Sequence, residues 1–213
     1  MNKTRYLLYG LGITILTLGV ALTILSDLGT SPFDALLVGL SKTVGFTVGT
    51  WEIIIALILI FCNSILKRNR PEYLGLATAL ITGLSINLWL FLLEHVILPE
   101  IFISKLICFG IGLIVTGIGS AIYLLTNFAP IPVDQSMLII RERLKVNYMI
   151  SKTILYVLFL LLAFIFKGPI GIGTVLTVCL GGPILNICMP TMKSRVNKLL
   201  MKKSNHVENS HSI

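Results

Sequence analysis

Long apolar stretches, separated by short polar segments, recur along the whole chain. A helix needs about 20 apolar residues to cross the hydrocarbon core of a bilayer. Six stretches reach this length, and they cover residues 6–25, 47–66, 73–93, 103–125, 148–166 and 170–189. The last is rich in Gly and Thr and contains Pro183, so its assignment also depends on its neighbours. The pattern predicts an all-α, polytopic transmembrane helical bundle with six spans.

Two further segments, residues 32–44 and 132–145, are too short to cross a bilayer. Each begins with a proline. Proline suits the first turn of a helix, because its missing N–H would have no partner there. We therefore expect two short helices that enter the bundle or lie at its surface.

The composition excludes a soluble enzyme. Hydrophobic residues make up 55% of the 213 residues and charged residues only 12%, which is too little polar surface to face water. No zinc-protease, nucleophile-elbow, phosphate-loop or dinucleotide motif is present in the sequence. We therefore expect no enzymatic activity, no cofactor and no bound metal, and the lipid bilayer as the main partner.

The basic residues indicate the orientation of the chain. The formal net charge is +8, but Lys and Arg lie between apolar stretches and in the tail, a distribution that argues against nucleic acid as a partner. Basic residues near span ends favour the cytoplasmic side. Six spans place the clusters at 67–70, 141–145 and 193–203 inside, and predict both termini in the cytoplasm. The tail, residues 193–213, is predicted to be disordered and to contact anionic lipid headgroups.

The chain resembles a duplicated half. At a shift of 100 positions, seven residues in a stretch of 25 are identical. They are Gly10, Gly12, Gly19, Ala21, Leu25, Pro32 and Asp34, which match Gly110, Gly112, Gly119, Ala121, Leu125, Pro132 and Asp134. Further on, a one-residue gap brings the shift to 99, at which Thr78, Gly83 and Asn87 match Thr177, Gly182 and Asn186. We divide the membrane region into repeats at residues 1–95 and 101–192, each with three spans and one short helix. An odd number of spans inverts the second copy, a plan of many secondary transporters, although a duplication can also serve structure alone.

Irregular segments precede both short helices. Broken backbone near lipid is tolerated only where protein or a water-filled cavity satisfies its polar groups, and a helix N-terminus suits a polar ligand. The candidate residues for binding a small polar solute are Ser31, Asp34, Asn87, Asp134 and Asn186. The alternative is structural, because the aspartates can cap their helices and the asparagines can link neighbouring helices.

Four charged residues also match between the halves. Glu52 corresponds to Lys152, and Lys42 corresponds to Glu142 with the signs exchanged. We expect two equivalent ion pairs, Lys42 with Glu52 and Glu142 with Lys152, near opposite faces of the membrane. Glu52 and Lys152 should then not touch each other. The pairs serve either as structural bridges or as gates.

Glycines recur in the first and fourth spans at spacings that permit close helix contact. They are Gly10, Gly12, Gly19, Gly110, Gly112, Gly117 and Gly119. We expect these two spans to form the central packing seam of the bundle.

Several short motifs resemble those of a known family. They are Leu28-Gly29-Thr30-Ser31-Pro32-Phe33-Asp34, Gly39-Leu40-Ser41, Gly45, Gly49, Pro132-Val133-Asp134, Gly171-Ile172-Gly173-Thr174 and Gly181-Gly182-Pro183. With them the chain resembles the YczE/YyaS/YitT group of bacterial membrane proteins, which is largely uncharacterised. The resemblance implies a multi-pass protein of a bacterial plasma membrane and brings no established substrate.

Two functions stay open at this point. The leading hypothesis is a small-solute transporter or permease with a site between the two repeats. The alternative is a membrane accessory or regulatory partner of another complex, which transports nothing itself.

Overall fold

The computed structural model describes residues 3–70 and 73–210, and its regular structure is helical throughout. Eight helices follow one another within these described residues. They are α1 (Lys3–Leu25), α2 (Pro32–Val44), α3 (Val48–Lys67), α4 (Tyr73–Leu93), α5 (Phe102–Leu125), α6 (Pro132–Leu144), α7 (Tyr148–Ile165) and α8 (Ile172–Ser210). The predicted all-α membrane bundle is confirmed.

In the part of the chain that the structure describes, five helices are long and apolar enough to cross a bilayer: α1, α3, α4, α5 and α8. The remaining predicted span corresponds to α7, which has 18 residues. This length lies at the short end of the range of about 17 to 25 residues that spans require. The two proline-opened helices, α2 and α6, have 13 residues each and are too short to cross.

Helix α8 is longer than the sequence predicts. It continues to Ser210 and includes most of the basic segment that we expected to be disordered. Lys, Arg, Leu and Met favour helix, and extending an existing helix avoids the cost of nucleation. The prediction of disorder for residues 193–213 therefore differs from the structure up to Ser210, and residues 211–213 lie outside the described residues.

The two halves contain the same succession of elements. Helices α1 and α5 end at Leu25 and Leu125, and α2 and α6 begin at Pro32 and Pro132. After α1 and α5 the chain turns through a residue with positive φ, Asp27 at 54° and its counterpart Asn127 at 47°. Asp and Asn adopt this left-handed conformation more readily than other residues with side chains. The repeat seen in the residues is thus also a repeat of backbone conformation.

Helices α1 and α5 pack against each other along a seam of glycines. A Cβ atom on Gly112 would lie 2.9 Å from the carbonyl oxygen of Gly19, and one on Gly12 would lie 2.7 Å from the backbone nitrogen of Tyr123. A Cβ on Gly119 would also meet the backbone of α1. The predicted seam is confirmed for these four glycines.

The other three glycines of the set are not part of that seam. A Cβ on Gly10 or Gly110 would meet no atom within 4 Å in the described structure. Gly117 faces Ile184 of α8 instead of α1. The seam therefore follows one face of each helix rather than every glycine in it.

Each short helix lies against a long helix of the other half. Helix α2 packs on α7, where the rings of Phe33 and Phe159 have centroids 5.0 Å apart, and α6 packs on α3. The amide group of Asn63 in α3 donates a hydrogen bond of 3.1 Å to the Pro132 carbonyl at the start of α6. Because each short helix packs on the opposite half, the N-terminal ends of α2 and α6 lie at the same interior space.

The helix pairs α3–α4 and α7–α8 differ, although they occupy corresponding places in the two halves. Helices α3 and α4 are in close contact, and a Cβ on Gly83 would lie 2.8 Å from the side chain of Ile53. Helices α7 and α8 make no comparable contact in the described residues. The two halves thus have matching elements in different arrangements.

Candidate functional site

A cavity of about 190 Å³ lies between the two halves. All eight helices contribute to its lining. Many of the lining residues occupy corresponding positions in the repeats, including Thr23 with Tyr123, Asp34 with Asp134, Glu52 with Lys152, Thr82 with Gly181 and Ile86 with Leu185. The two halves therefore present equivalent surfaces to one shared space.

Four ionisable residues of opposite signs line this cavity. Asp34, Glu52 and Asp134 carry carboxyl groups, and Lys152 carries an ammonium group. Ionisable groups inside a membrane bundle are costly, face the interior or a water-filled cavity, and mark solute or proton pathways. Their convergence makes this cavity the candidate site.

The prediction of two separate ion pairs is wrong. Lys42 and Glu142 are both exposed, and no salt bridge joins Lys42 to Glu52 or Glu142 to Lys152 in the part of the chain that the structure describes. Glu52 and Lys152 line the same cavity instead of lying near opposite faces.

The packing of the short helices explains the error. Lys42 lies in the last turn of α2, two turns beyond the cavity residue Asp34, or roughly 12 Å along the axis. Glu142 lies at the equivalent place in α6, beside Arg141 and Lys145 at a surface hollow. The far ends of both short helices thus leave the interior, while Glu52 and Lys152 face it.

Ser31 and Asp34 form the first turn of α2. Ser31 is the N-cap: its hydroxyl accepts a hydrogen bond of 3.1 Å from the Asp34 amide and donates one of 2.5 Å to the Asp34 carboxylate. The first bond satisfies one backbone donor at the helix start, and the second fixes the Asp34 carboxyl group beside the cap. Both residues also line the cavity, so capping and exposure to the cavity coexist in Asp34.

Asp134 has a different set of partners in the second half. Its carboxylate accepts a hydrogen bond from the Tyr123 hydroxyl of α5, and Lys152 lies within electrostatic range of it. The Lys152 ammonium also lies over the ring of Tyr156, 5.1 Å from the centroid. Asp134 therefore has both a hydrogen-bond donor and a positive charge nearby.

Glu52 is the least satisfied of the four. The residue is only 2% exposed, and no hydrogen bond or salt bridge to its carboxyl group is present among the described residues. No fully buried side-chain oxygen of those residues lacks a partner, so the Glu52 carboxyl group opens onto the cavity. Asp34 and Asp134, which are of the same sign, lie within electrostatic range of it. A buried carboxylate without a partner is costly, so a proton or a cation in the cavity would stabilise it.

Hydroxyl groups supply most of the remaining polar lining, and sequence reasoning did not identify them. They belong to Thr23, Thr30, Thr82, Thr116, Ser120 and Thr177. Thr23 and Thr30 share a hydrogen bond of 3.0 Å between their side-chain oxygens. Threonine is common in spans as a backbone-bonded residue, so its presence alone does not indicate a site.

The two candidate asparagines lie outside the cavity lining. The side-chain oxygen of Asn87 accepts a hydrogen bond of 2.9 Å from the Gly49 amide, which links α4 to α3. Asn186, its counterpart in α8, is exposed because α8 does not pack on α7. Of the five residues predicted for solute binding, the structure brings Ser31, Asp34 and Asp134 together.

The chain matches the family of unknown function DUF6198 over residues 3–190. It is similar to the uncharacterized protein YyaS of Bacillus subtilis, with 59% identity over 189 residues, which cover 89% of this chain and 94% of that protein. It is also similar to the uncharacterized membrane protein YczE of the same organism, with 30% identity over 207 residues, covering 97% and 95%. No solved structure matches the chain.

Proposed function

The chain belongs to the DUF6198 family and to the group of membrane proteins that includes YczE and YyaS, and we propose that it transports a small polar solute through the cavity between its halves. The observation that carries the proposal is that corresponding residues of both halves line one space containing three carboxyl groups and one ammonium group. A bundle with a purely structural role has no need for four costly ionisable groups in its centre.

The repeat supports this proposal. Three spans per half give the second half the opposite orientation in the membrane, and transporters of that plan bind their solute between the repeats. Access then alternates when the two halves exchange conformations. The matching helix bounds and the shared cavity are what such a mechanism requires.

The difference between α3–α4 and α7–α8 indicates how access would alternate. In the described state α3 and α4 are held together at Gly49 and Asn87, while α7 and α8 are apart. Exchanging the two arrangements would close α8 onto α7 and separate α4 from α3. Asn186 would then enter a helix contact equivalent to the one that Asn87 makes now.

The distribution of basic residues supports an orientation with both termini in the cytoplasm of a bacterium. Arg68 and Arg143 are exposed. The Arg143 guanidinium donates a hydrogen bond to the Leu66 carbonyl, so the C-terminal ends of α3 and α6 lie close together. Basic residues beside spans favour the cytoplasmic face, and the exposed Lys193 and Arg195 would approach anionic headgroups there.

Uptake by proteoliposomes tests the proposal. The purified protein should give saturable uptake of at least one solute from a panel of small cationic, zwitterionic, neutral and anionic metabolites. Asp134→Asn should abolish uptake while the protein stays folded. Asp27→Asn is the matched control, because Asp27 lies outside the cavity and its positive φ suits Asn equally well.

Absence of uptake for every class would contradict transport. Recovery of one fixed protein partner, with no flux, would instead favour the accessory role. The two functions are therefore separated by the same preparation of protein.

A further inference from the structure

The charges around the cavity do not balance. Among the described lining residues, three carboxyl groups face one ammonium group. Lys152 and the Tyr123 hydroxyl act on Asp134, whereas Asp34 is bound by the neutral hydroxyl groups of Ser31 and Thr30. The side of the cavity formed by α2 and α3 therefore carries carboxyl groups with no positive counterpart.

Glu52 provides a second, independent observation. Its side chain is 98% buried, lines the cavity and has no hydrogen-bond or salt-bridge partner in the described residues. Asp34 lies within its electrostatic range and is of the same sign. Two such carboxylates in a low dielectric repel each other, and a cation between them removes this repulsion.

The size of the cavity limits the occupant. A cavity of about 150 Å³ accommodates benzene, so a space of about 190 Å³ suits a molecule of roughly six to eight heavy atoms. No group of three or more His, Cys, Asp or Glu among the described residues has the arrangement of a metal site. The carboxyl groups are thus spread around a molecule-sized space instead of converging on one ion.

The rest of the lining suits an organic cation. Tyr123 contributes an aromatic ring, and aromatic faces attract positive charge, whereas the ring of Tyr156 already has the Lys152 ammonium over it. Leu16, Val20 and Ile86 supply apolar surface on other sides. A ligand with one positive group and a short hydrocarbon part would meet a complementary surface in each direction.

We infer that the solute is a small organic cation of the ammonium type, whose charge is held between Asp34 and Glu52. The inference rests on the proposed transport function and specifies the solute class of the same cavity. The solute hydrocarbon part lies toward α1 and α4, and Lys152 stays with Asp134.

Thermal unfolding of the purified protein with matched probes tests the solute class. The cations are methylammonium, ethanolammonium and choline. The neutral controls are methanol, ethylene glycol and 3,3-dimethyl-1-butanol, and the anions are formate, glycolate and pivalate. A ligand that binds only the folded state raises Tm in proportion to its occupancy. At least one cation should raise Tm in a saturable manner, and its neutral and anionic counterparts should not.

Two isosteric variants test the location. Glu52→Gln and Asp34→Asn should each raise the Kd of the stabilising cation by at least about tenfold, since each removes one charge from the ligand's surroundings. Glu94→Gln, at an exposed carboxyl outside the cavity, should bind as the parent does. Size-exclusion profiles confirm that each variant is folded, and Asp34→Asn keeps the test valid if Glu52→Gln does not fold.

Uptake of the same probes separates this inference from the transport proposal. If the parent protein takes up a cation and Glu52→Gln does not, the result supports both the transport function and the cationic solute class. Uptake confined to anionic or neutral solutes, or cation binding that persists unchanged in both variants, overturns the solute class and leaves transport standing. Absence of uptake for every probe and for the wider panel overturns both.

Discussion

Glu52 on α3 and Lys152 on α7 occupy corresponding positions in the two halves, 100 residues apart, and both line the central cavity. The repeat thus places opposite charges at equivalent points of one space. Because the flanking short helices carry Asp34 and Asp134 to the same space, the charged residues of the two halves differ there in the sign at one position. The charges of Glu52 and Lys152 cancel in sum, so the two aspartates make the cavity net acidic, while the opposite signs at positions 52 and 152 give it a polarity between the halves.

Glu52→Gln should raise the thermal stability of the protein. The carboxyl group is buried, has like charges nearby and lacks a partner in the described structure, so its removal relieves a cost. We expect a gain of about 1 kcal/mol in the free energy of unfolding, measured by thermal unfolding in detergent. Glu94→Gln should change it by less than about 0.5 kcal/mol. A clear loss of stability in Glu52→Gln would show that the carboxylate is satisfied in the folded protein.

Gly19→Ala should destabilise the contact between α1 and α5. The added methyl group would collide with Thr116, and overpacking of this kind costs about 1 to 3 kcal/mol. Gly10→Ala is the matched control, because the same methyl group meets open space there. That variant should be neutral or more stable, since Ala favours helix over Gly. Equal Tm changes in the two variants would contradict the glycine seam.

Asn87→Leu and Asn186→Leu should have different effects. Asn87→Leu removes the hydrogen bond to the Gly49 amide between α3 and α4 and should cost about 1 kcal/mol. Asn186 is exposed, so Asn186→Leu should leave Tm unchanged while it slows uptake, because that residue enters a helix contact only in the alternate state. Unfolding curves and uptake rates measured on the same preparations distinguish the two effects. An unchanged uptake rate in Asn186→Leu would count against the exchange of helix pairs.

Reporter fusions should place Arg68 and Arg143 on the same side of the membrane. An alkaline phosphatase domain, which is active only outside the cytoplasm, should be inactive after either residue and active after Glu94. This pattern follows from six crossings with both termini inside. Activity after one of the two arginines and not after the other would rule out an inverted second half.

The helices could largely be predicted from the sequence because their signals are local. Pro32 and Pro132 mark the starts of the short helices, and α2 and α6 begin at these residues. Asp34 and Asp134 could be identified as candidates for the same reason, since the irregular segments that precede them are visible in the sequence.

Contacts between helices could not be predicted in the same way. Lys42 and Glu52 are ten residues apart and were expected to pair, but Lys42 lies at the exposed far end of α2, whereas Glu52 on α3 faces the cavity. Asn186 matches Asn87 in sequence, yet the separation of α7 from α8 leaves it exposed. Matching residues therefore predicted equivalent positions and not equivalent contacts, because the two halves adopt different arrangements.

Exchanging the charges of Glu52 and Lys152 tests most directly whether the halves share one functional cavity. Glu52→Lys and Lys152→Glu should each abolish uptake in proteoliposomes, because each changes the net charge of the cavity by two. The double variant restores the charge set with the halves interchanged, and it should recover saturable uptake and the parent Tm. A double variant that is as inactive as the single variants and less stable than either would contradict a shared cavity, since that result is expected of two separate ion pairs at opposite faces.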